Sequence, residues 1–488
     1  MEKENLKPAS VFKYFKEICQ VPRPSKHEEK MTAFLKAFGK THHLETMVDE
    51  VGNVLIKKPA SKGKENLKTV ILQSHMDMVC DCLKGVEHDF YNDPIETEID
   101  GEWLKAKGTT LGSDNGIGDA TELAILADDS IEHGPIECLF TVDEETGLTG
   151  AFALKDGFMN GDFLINLDSE EEGILYIGCA GGIDSVGEYT YKEVKLPEGY
   201  FSFKVEIKGL KGGHSGDDIN KGRGNAIKII NRFLTQLMKK YGDEFYLCEI
   251  DGGKLHNAIP PSAHAVFALP EDEKHEVRVA LNLFAADIEN ELHLVEPDME
   301  IILGSTDQQK TAIDRETTAN VLKAIYAMPH GVFAMSKEIK GLVETSTNLA
   351  SIKMIENHTI KIATSQRSSI VSARDNIAQM VRTVMDLSGA KVTHGDGYPG
   401  WNPNTNSEIL HLAVDSYKRL FDVEPKVAAI HAGLECGLFL TKYPKLDMIS
   451  FGPTLINVHT PFERMNIPSV EKFWKHLLDV LAHIPAKE

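Results

Sequence analysis

His75 and Asp77 stand one residue apart where the apolar run Thr69-Val70-Ile71-Leu72-Gln73-Ser74 ends. An imidazole can bind a metal ion, and a carboxylate beside it can orient the ring through its far nitrogen. Other runs end in similar chemistry. Asp114 lies in Gly112-Ser113-Asp114-Asn115-Gly116-Ile117-Gly118 ahead of a helical stretch, and Asp143-Glu144-Glu145 follow Phe140-Thr141-Val142. Asp168 closes Leu164-Ile165-Asn166-Leu167, and His459 sits in Ile456-Asn457-Val458-His459-Thr460-Pro461. Taken singly, each has an ordinary reading as a helix cap, a solvated acidic loop, a turn or a loop histidine. Taken together, they gather at strand and loop ends of one α/β pattern, where open α/β sheets bind ligands. Two His and three carboxylates suit a pair of divalent ions, zinc first, with cobalt or manganese as alternatives.

The elements that must carry these residues are legible as periodicity. Val11 to Ile18 and Glu28 to Phe38 read as helices, and Val54-Leu55-Ile56, Val70-Ile71-Leu72, Ile136 to Val142 and Phe163 to Leu167 as strands. Around Gly187 the texture changes. Tyr200 to Ile207 alternates with period two, Gly224 to Lys240 carries a helical apolar stripe, and strand-then-helix units recur through Thr359 to Ala363 and Asn376 to Met385. After Gly395 the first texture returns, with helices over Ser407 to Phe421, Gly433 to Leu440 and Val470 to Ile484, and a strand over Leu446 to Phe451. The expected organisation is a catalytic domain built from residues 1–186 and 395–488, with residues 187–394 inserted. A strand, a polar loop with a cationic residue and a helix occur around both His214 and Arg367, which suggests a loose internal duplication.

At 488 residues the chain exceeds what one hydrophobic core supports, so two domains are expected. A formal charge of −22 disfavours nucleic acid and anionic membranes as partners. No apolar stretch approaches a membrane span, and Met1-Glu2-Lys3-Glu4-Asn5 does not open a signal peptide, so a cytoplasmic location is expected. The seven cysteines read as reduced core thiols, Cys80 and Cys82 included.

The set His75, Asp77, Asp114, Glu144, Glu145, Asp168 and His459 resembles the co-catalytic zinc peptidase family that includes glutamate carboxypeptidase, aminoacylase and the tripeptidase peptidase T. The runs SHMDMV from Ser74, LGSDNGIG from Leu111, DGYPGW from Asp396 and HAGLECG from His431 are similar to its aminoacyl-histidine dipeptidase (peptidase D) branch, across essentially the whole chain. The resemblance implies an α/β fold: a mixed-sheet catalytic domain with helices on both faces, plus an inserted α+β lid domain.

It also implies that Asp114 bridges two metals, that His75 and Asp168 complete one ion, and that Glu145 and His459 complete the other. Asp77 would orient His75, and Glu144 would be the general base for a metal-bridging water attacking the peptide bond of Xaa-His and other dipeptides. His214, in GLKGGHSG, would stabilise the oxyanion. Arg367 would clamp the substrate carboxylate, and Asn257 and Gly433 would contact substrate. Glu435 is a candidate for the substrate amino group. An N-acyl amino acid deacylase or a tripeptidase on the same fold is the alternative, a non-catalytic binding protein a more distant one. A homodimer is left open.

Overall fold

A computed structural model describes residues 6–487. The chain forms two compact units: residues 1–179, 401–429 and 434–488 make one, and residues 180–400 and 430–433 the other. The sequence reading set the boundaries at 186/187 and 394/395. The strand Gly181–Thr190 accounts for the first difference, because it pairs along its whole length with Thr359–Ser368 of the second unit. Tyr398 exchanges backbone hydrogen bonds with Gly182 and accounts for the other.

The first unit is mixed α/β. Its eight-stranded sheet runs Glu45–Val48, Val54–Lys58, Ile136–Thr141, Val70–His75, Phe163–Asn166, Asp447–Ser450, Ile174–Cys179, Lys426–Ile430. Val70–His75 pairs in parallel with both Ile136–Thr141 and Phe163–Asn166, and the latter in parallel with Asp447–Ser450. Parallel strands are buried on both faces, hence the unbroken apolar runs, and Val70, Ile71 and Leu72 are at most 1% exposed. Parallel pairing also brings the C-terminal ends of these strands to one edge, so the residues that follow each run become neighbours.

The second unit is an antiparallel sheet with helices. Its main path is Glu300–Ser305, Tyr200–Lys208, Ala263–Pro270, Tyr246–Gly252, Val343–Ile355, Thr359–Ser368, Gly181–Thr190, Lys391–His394, and Gly331–Met335 pairs beside Val343–Ile355. The helix Ala226–Tyr241 starts where the Asn225 side chain accepts the N–H groups of Ile227 and Lys228, and it buries Ile227, Ile230, Leu234 and Leu237. Phe203, Phe233, Phe245, Phe267 and Phe284 fill the core between these layers. Burying side chains of this size contributes about 1.5–3 kcal/mol each.

Two element predictions need correction. Arg367 does not follow a strand but lies inside one, Thr359–Ser368, which continues well past Ala363. The run Thr364 to Ser368 is polar yet buried because its side chains pair with one another: Gln366 with Ser185 and Thr364, and Ser368 with Thr345. The helix expected from Gly433 begins instead at Cys436, since the carbonyls of Ile430 and Ala432 accept the Ala180 N–H. All seven cysteines are free, but only Cys19, Cys138, Cys179 and Cys436 are buried, whereas Cys80 is exposed. Among the described residues no helix is long and apolar enough to cross a membrane.

Candidate metal centre

The residues after the first unit's parallel strands converge on Asp114. One oxygen of its carboxylate lies 3.0 Å from His75 Nε2 and the other 2.9 Å from His459 Nε2. Asp168 Oδ1 approaches His75 Nε2 at 3.3 Å, and Glu145 Oε2 approaches His459 Nε2 at 3.0 Å. His75 is 1% exposed, while the His459 side chain is about half exposed, at 48%, and marks the rim.

Asp77 ties two strand ends together. Its Oδ1 lies 3.2 Å from His75 Nδ1 and accepts the Glu144 N–H at 3.0 Å, while Oδ2 accepts the Glu145 N–H at 3.3 Å and the Ser25 hydroxyl at 2.8 Å. Asp143, with φ 49°, ends its strand abruptly and begins the short helix Glu144–Gly147 that presents those two N–H groups. One carboxylate therefore lies beside the imidazole and anchors the acidic turn.

The Asp114 loop is held from elsewhere in the chain. Glu463 accepts the backbone N–H groups of Leu111 at 2.7 Å, Gly112 at 3.0 Å and Ser113 at 2.8 Å, together with the Ser113 hydroxyl at 2.6 Å. Arg23 donates to the carbonyls of Gly112 and Asp77. Gly112 has φ 66°, a left-handed conformation that favours glycine. Asn115 Nδ2 donates to Leu167 O at 2.8 Å, joining this loop to the strand end that carries Asp168.

The electrostatics ask for cations. Burial, opposed by His75 and reinforced by Asp114, lifts Asp168 to about 7. Burial, reinforced by Asp114 and Asp168, lifts Glu170 to about 8. Glu144 is held well above the carboxylate range by burial, against the pull of His75 and with the repulsion of Asp168, Glu145 and Glu435. Burial would lower both histidines, but the carboxylates outweigh it, and His459 rises to about 11. Carboxylates outnumber imidazoles, and Glu145 Oε1 is buried without a hydrogen-bond partner. Divalent cations relieve that crowding, and the N/O donor set suits zinc, cobalt or manganese. The residues present thus fit a two-metal group.

The other predicted residues assemble within the second unit. Gly213–His214 pairs with Ala258–Ile259, and Ser215 N donates to Asn257 O at 2.8 Å, so His214 and Asn257 are neighbours. His214 Nδ1 is engaged by Asp217 through its N–H and its carboxylate, both at 3.3 Å. Arg367, 7% exposed, donates to Ser215 Oγ at 3.4 Å and Tyr398 OH at 3.1 Å. Gly433 lies against the Tyr398 ring, where a Cβ would come within 2.9 Å of Cε2.

The model of peptidase family M20/M25/M40 matches residues 71–483. The chain belongs to this family. Among its relatives, the cytosol non-specific dipeptidase of Escherichia coli (strain K12) is 42% identical over 486 residues, 100% of each chain. The crystal structure of an aminoacylhistidine dipeptidase from Vibrio alginolyticus superposes with a TM-score of 0.90 at 42% identity, covering 100% of this chain and 99% of that one. The aminopeptidase PepT from Bacillus cereus ATCC 10987 shares the fold, with a TM-score of 0.62 at 16% identity over 98% of this chain and 99% of its own.

Reading this M20/M25/M40 chain by strand ends leaves out several residues that the geometry makes prominent. Glu463 and Arg23 hold the Asp114 loop, yet neither follows an apolar run. Glu170 is two residues beyond Asp168 and could have been taken with it. Tyr398 lies inside the DGYPGW motif, where only its contact with Arg367 assigns it a task. Glu435, expected to meet a substrate amino group, is 1% exposed, and its Oε2 accepts from Gln73 at 2.6 Å and Thr141 at 2.7 Å. Its Oε1 is buried without a hydrogen-bond partner.

Proposed function

We propose that this protein is a cytosolic metal-dependent dipeptidase of broad specificity that cleaves Xaa-His among other dipeptides. The observation that carries the reading is the Asp114 carboxylate, one oxygen toward each imidazole, flanked by Asp168 on the His75 side and Glu145 on the His459 side. Full-length identity to the E. coli dipeptidase and the likeness to the V. alginolyticus enzyme support the substrate class.

In this reading His75, Asp114 and Asp168 would hold one divalent ion, and Asp114, Glu145 and His459 the other, with zinc the expected metal. Bound there, the pair supplies Lewis acidity and lowers the pKa of a water toward about 7. Glu144 would take a proton from the attacking water and pass it to the departing amine. Asp77 fixes the His75 ring. His214, its Nδ1 occupied by Asp217, presents Nε2 as donor to the oxyanion.

Arg367 binds the substrate carboxylate. Its guanidinium is buried, its hydrogen-bond partners Ser215 and Tyr398 are neutral hydroxyls, and no carboxylate lies within ion-pair distance of it among the described residues. Asn257 is joined to Ser215 and Gly433 lies against Tyr398, the two partners of Arg367, and both would contact substrate. Arg367→Ala is expected to cost about 1.5–3 kcal/mol in kcat/KM, chiefly through KM. Dipeptide amides, which lack the carboxylate, should show little difference between the two enzymes; an equal loss on amides would remove Arg367 from this role.

The deciding experiment is turnover of Xaa-His dipeptides, tripeptides and N-acetyl amino acids by protein reconstituted with zinc, cobalt or manganese. Dipeptides are expected to be preferred. A preference for acetylated substrates would replace the dipeptidase with a deacylase.

A further inference from the structure

Beneath the candidate metal centre lie two acids with no place in that chemistry. Asp119 and Glu122, on the helix Ser113–Ala127, are both 0% exposed, and each has a carboxyl oxygen 2.7 Å from Ser74 Oγ. A serine hydroxyl carries a single hydrogen and can donate to only one of them. The second contact is a hydrogen bond only if the carboxyl itself is the donor, and two ionised carboxylates sharing one buried hydroxyl would be strongly disfavoured. The other oxygens, Asp119 Oδ2 and Glu122 Oε2, are buried without partners, so nothing on that side neutralises a second charge.

We infer that Glu122 is a neutral acid that donates its proton to Ser74 Oγ, which donates in turn to the Asp119 carboxylate, and that this strap is a positioning device for the metal centre. The assignment of the proton follows the neighbours. Asp119 has the favourable charge of Arg23 to set against Asp77, whereas Glu122 faces the anion of Asp119, eased by the neighbouring Cys138 thiol. Burial raises both acids, Asp119 to about 7 and Glu122 well above its ordinary range.

The strap joins the two elements that carry His75 and Asp114. Ser74 is the residue before His75 on its strand, and Asp119 and Glu122 lie on the helix that begins around Asp114. Gly118 brings helix and strand together, since a Cβ there would come within 2.8 Å of Ser74 Cβ. A link at this point sets the register on which the His75 Nε2 to Asp114 Oδ1 distance depends. The positioning role rests on the reading of those two residues as metal ligands, whereas the proton assignment does not.

The test is infrared spectroscopy at neutral pH on wild type and Glu122→Gln, combined with metal affinity by chelator competition. The wild-type minus Glu122→Gln difference spectrum should show the C=O stretch of one buried protonated carboxylic acid. Absence of that band from the difference spectrum overturns the assignment. Glu122→Leu, which cannot donate, should weaken metal binding by about 10–100-fold, as loss of partners to ligand-bearing groups does, and Glu122→Gln should restore it. Wild-type affinity in Glu122→Leu overturns the positioning role. Should Glu122→Leu fail to fold, pH decides the matter through Glu122→Gln. An acid whose folded pKa is raised costs stability as pH climbs above its ordinary value of 4.5, so Glu122→Gln should gain on wild type over that range, and a flat difference counts against the strap. Retention of metal by His75→Ala would overturn the ligand reading while leaving the carboxylic band in place.

Discussion

Glu144→Gln is expected to lower kcat by about 10²–10⁴-fold with KM and metal content near wild type, the range a positioned general acid–base contributes. Glutamine keeps the length and the backbone N–H that Asp77 accepts, so the turn should survive. What disappears is a carboxylate that can take a proton and give it back. The effect should fall on kcat because that exchange belongs to the transition state rather than to substrate binding. Turnover within about threefold of wild type would exclude Glu144 as the base, since no general acid–base role is that small.

Asp114→Asn is the second large effect, and it should appear as metal loss before any kinetic assay is run. The carboxylate faces both imidazoles, so a neutral amide removes the single charge that the two halves of the centre share. Removal of an outer-shell partner costs roughly 10–100-fold in affinity, and loss of a shared ligand should exceed that for both ions. Metal analysis after dialysis against a weak chelator is the measurement. Two ions held at wild-type affinity would refute the bridging role. The loop should persist, because the N–H groups of Leu111, Gly112 and Ser113 remain bound by Glu463.

The contrast between Asp114 and Glu463 shows what a linear reading can reach. Asp168, Glu144, Glu145 and His75 each follow an apolar run, and such a run in a parallel sheet announces both a strand and the edge where it ends, while Asp114 stands in a glycine-rich loop just ahead of a helical stretch. Glu463 follows no such run. Its part in the site depends on the C-terminal segment returning to the loop at Leu111, a closure that no local pattern encodes. Tyr398 is similar: its motif is visible, but its contact with Arg367 arises from sheet register. Glu122 is the sharpest case. An acid within a helix reads as solvent-facing, and only burial against Ser74 turns it into a proton-bearing group.

The sequence by itself determined the types of chemistry and the order in which they occur, because apolar periodicity sets where strands stop and residue type sets which atoms can bind metal or carry protons. It also determined the alternation of textures that becomes two units. Tertiary structure alone decided that Asp114 turns one oxygen to each imidazole, that Asp77 serves the acidic turn as well as His75, and that Arg367 sits inside a buried strand. These are distances between segments far apart in the chain, set by how strands pair and helices pack. Protonation states follow the same rule, since a carboxyl group's charge depends on the dielectric and the neighbours that folding brings to it.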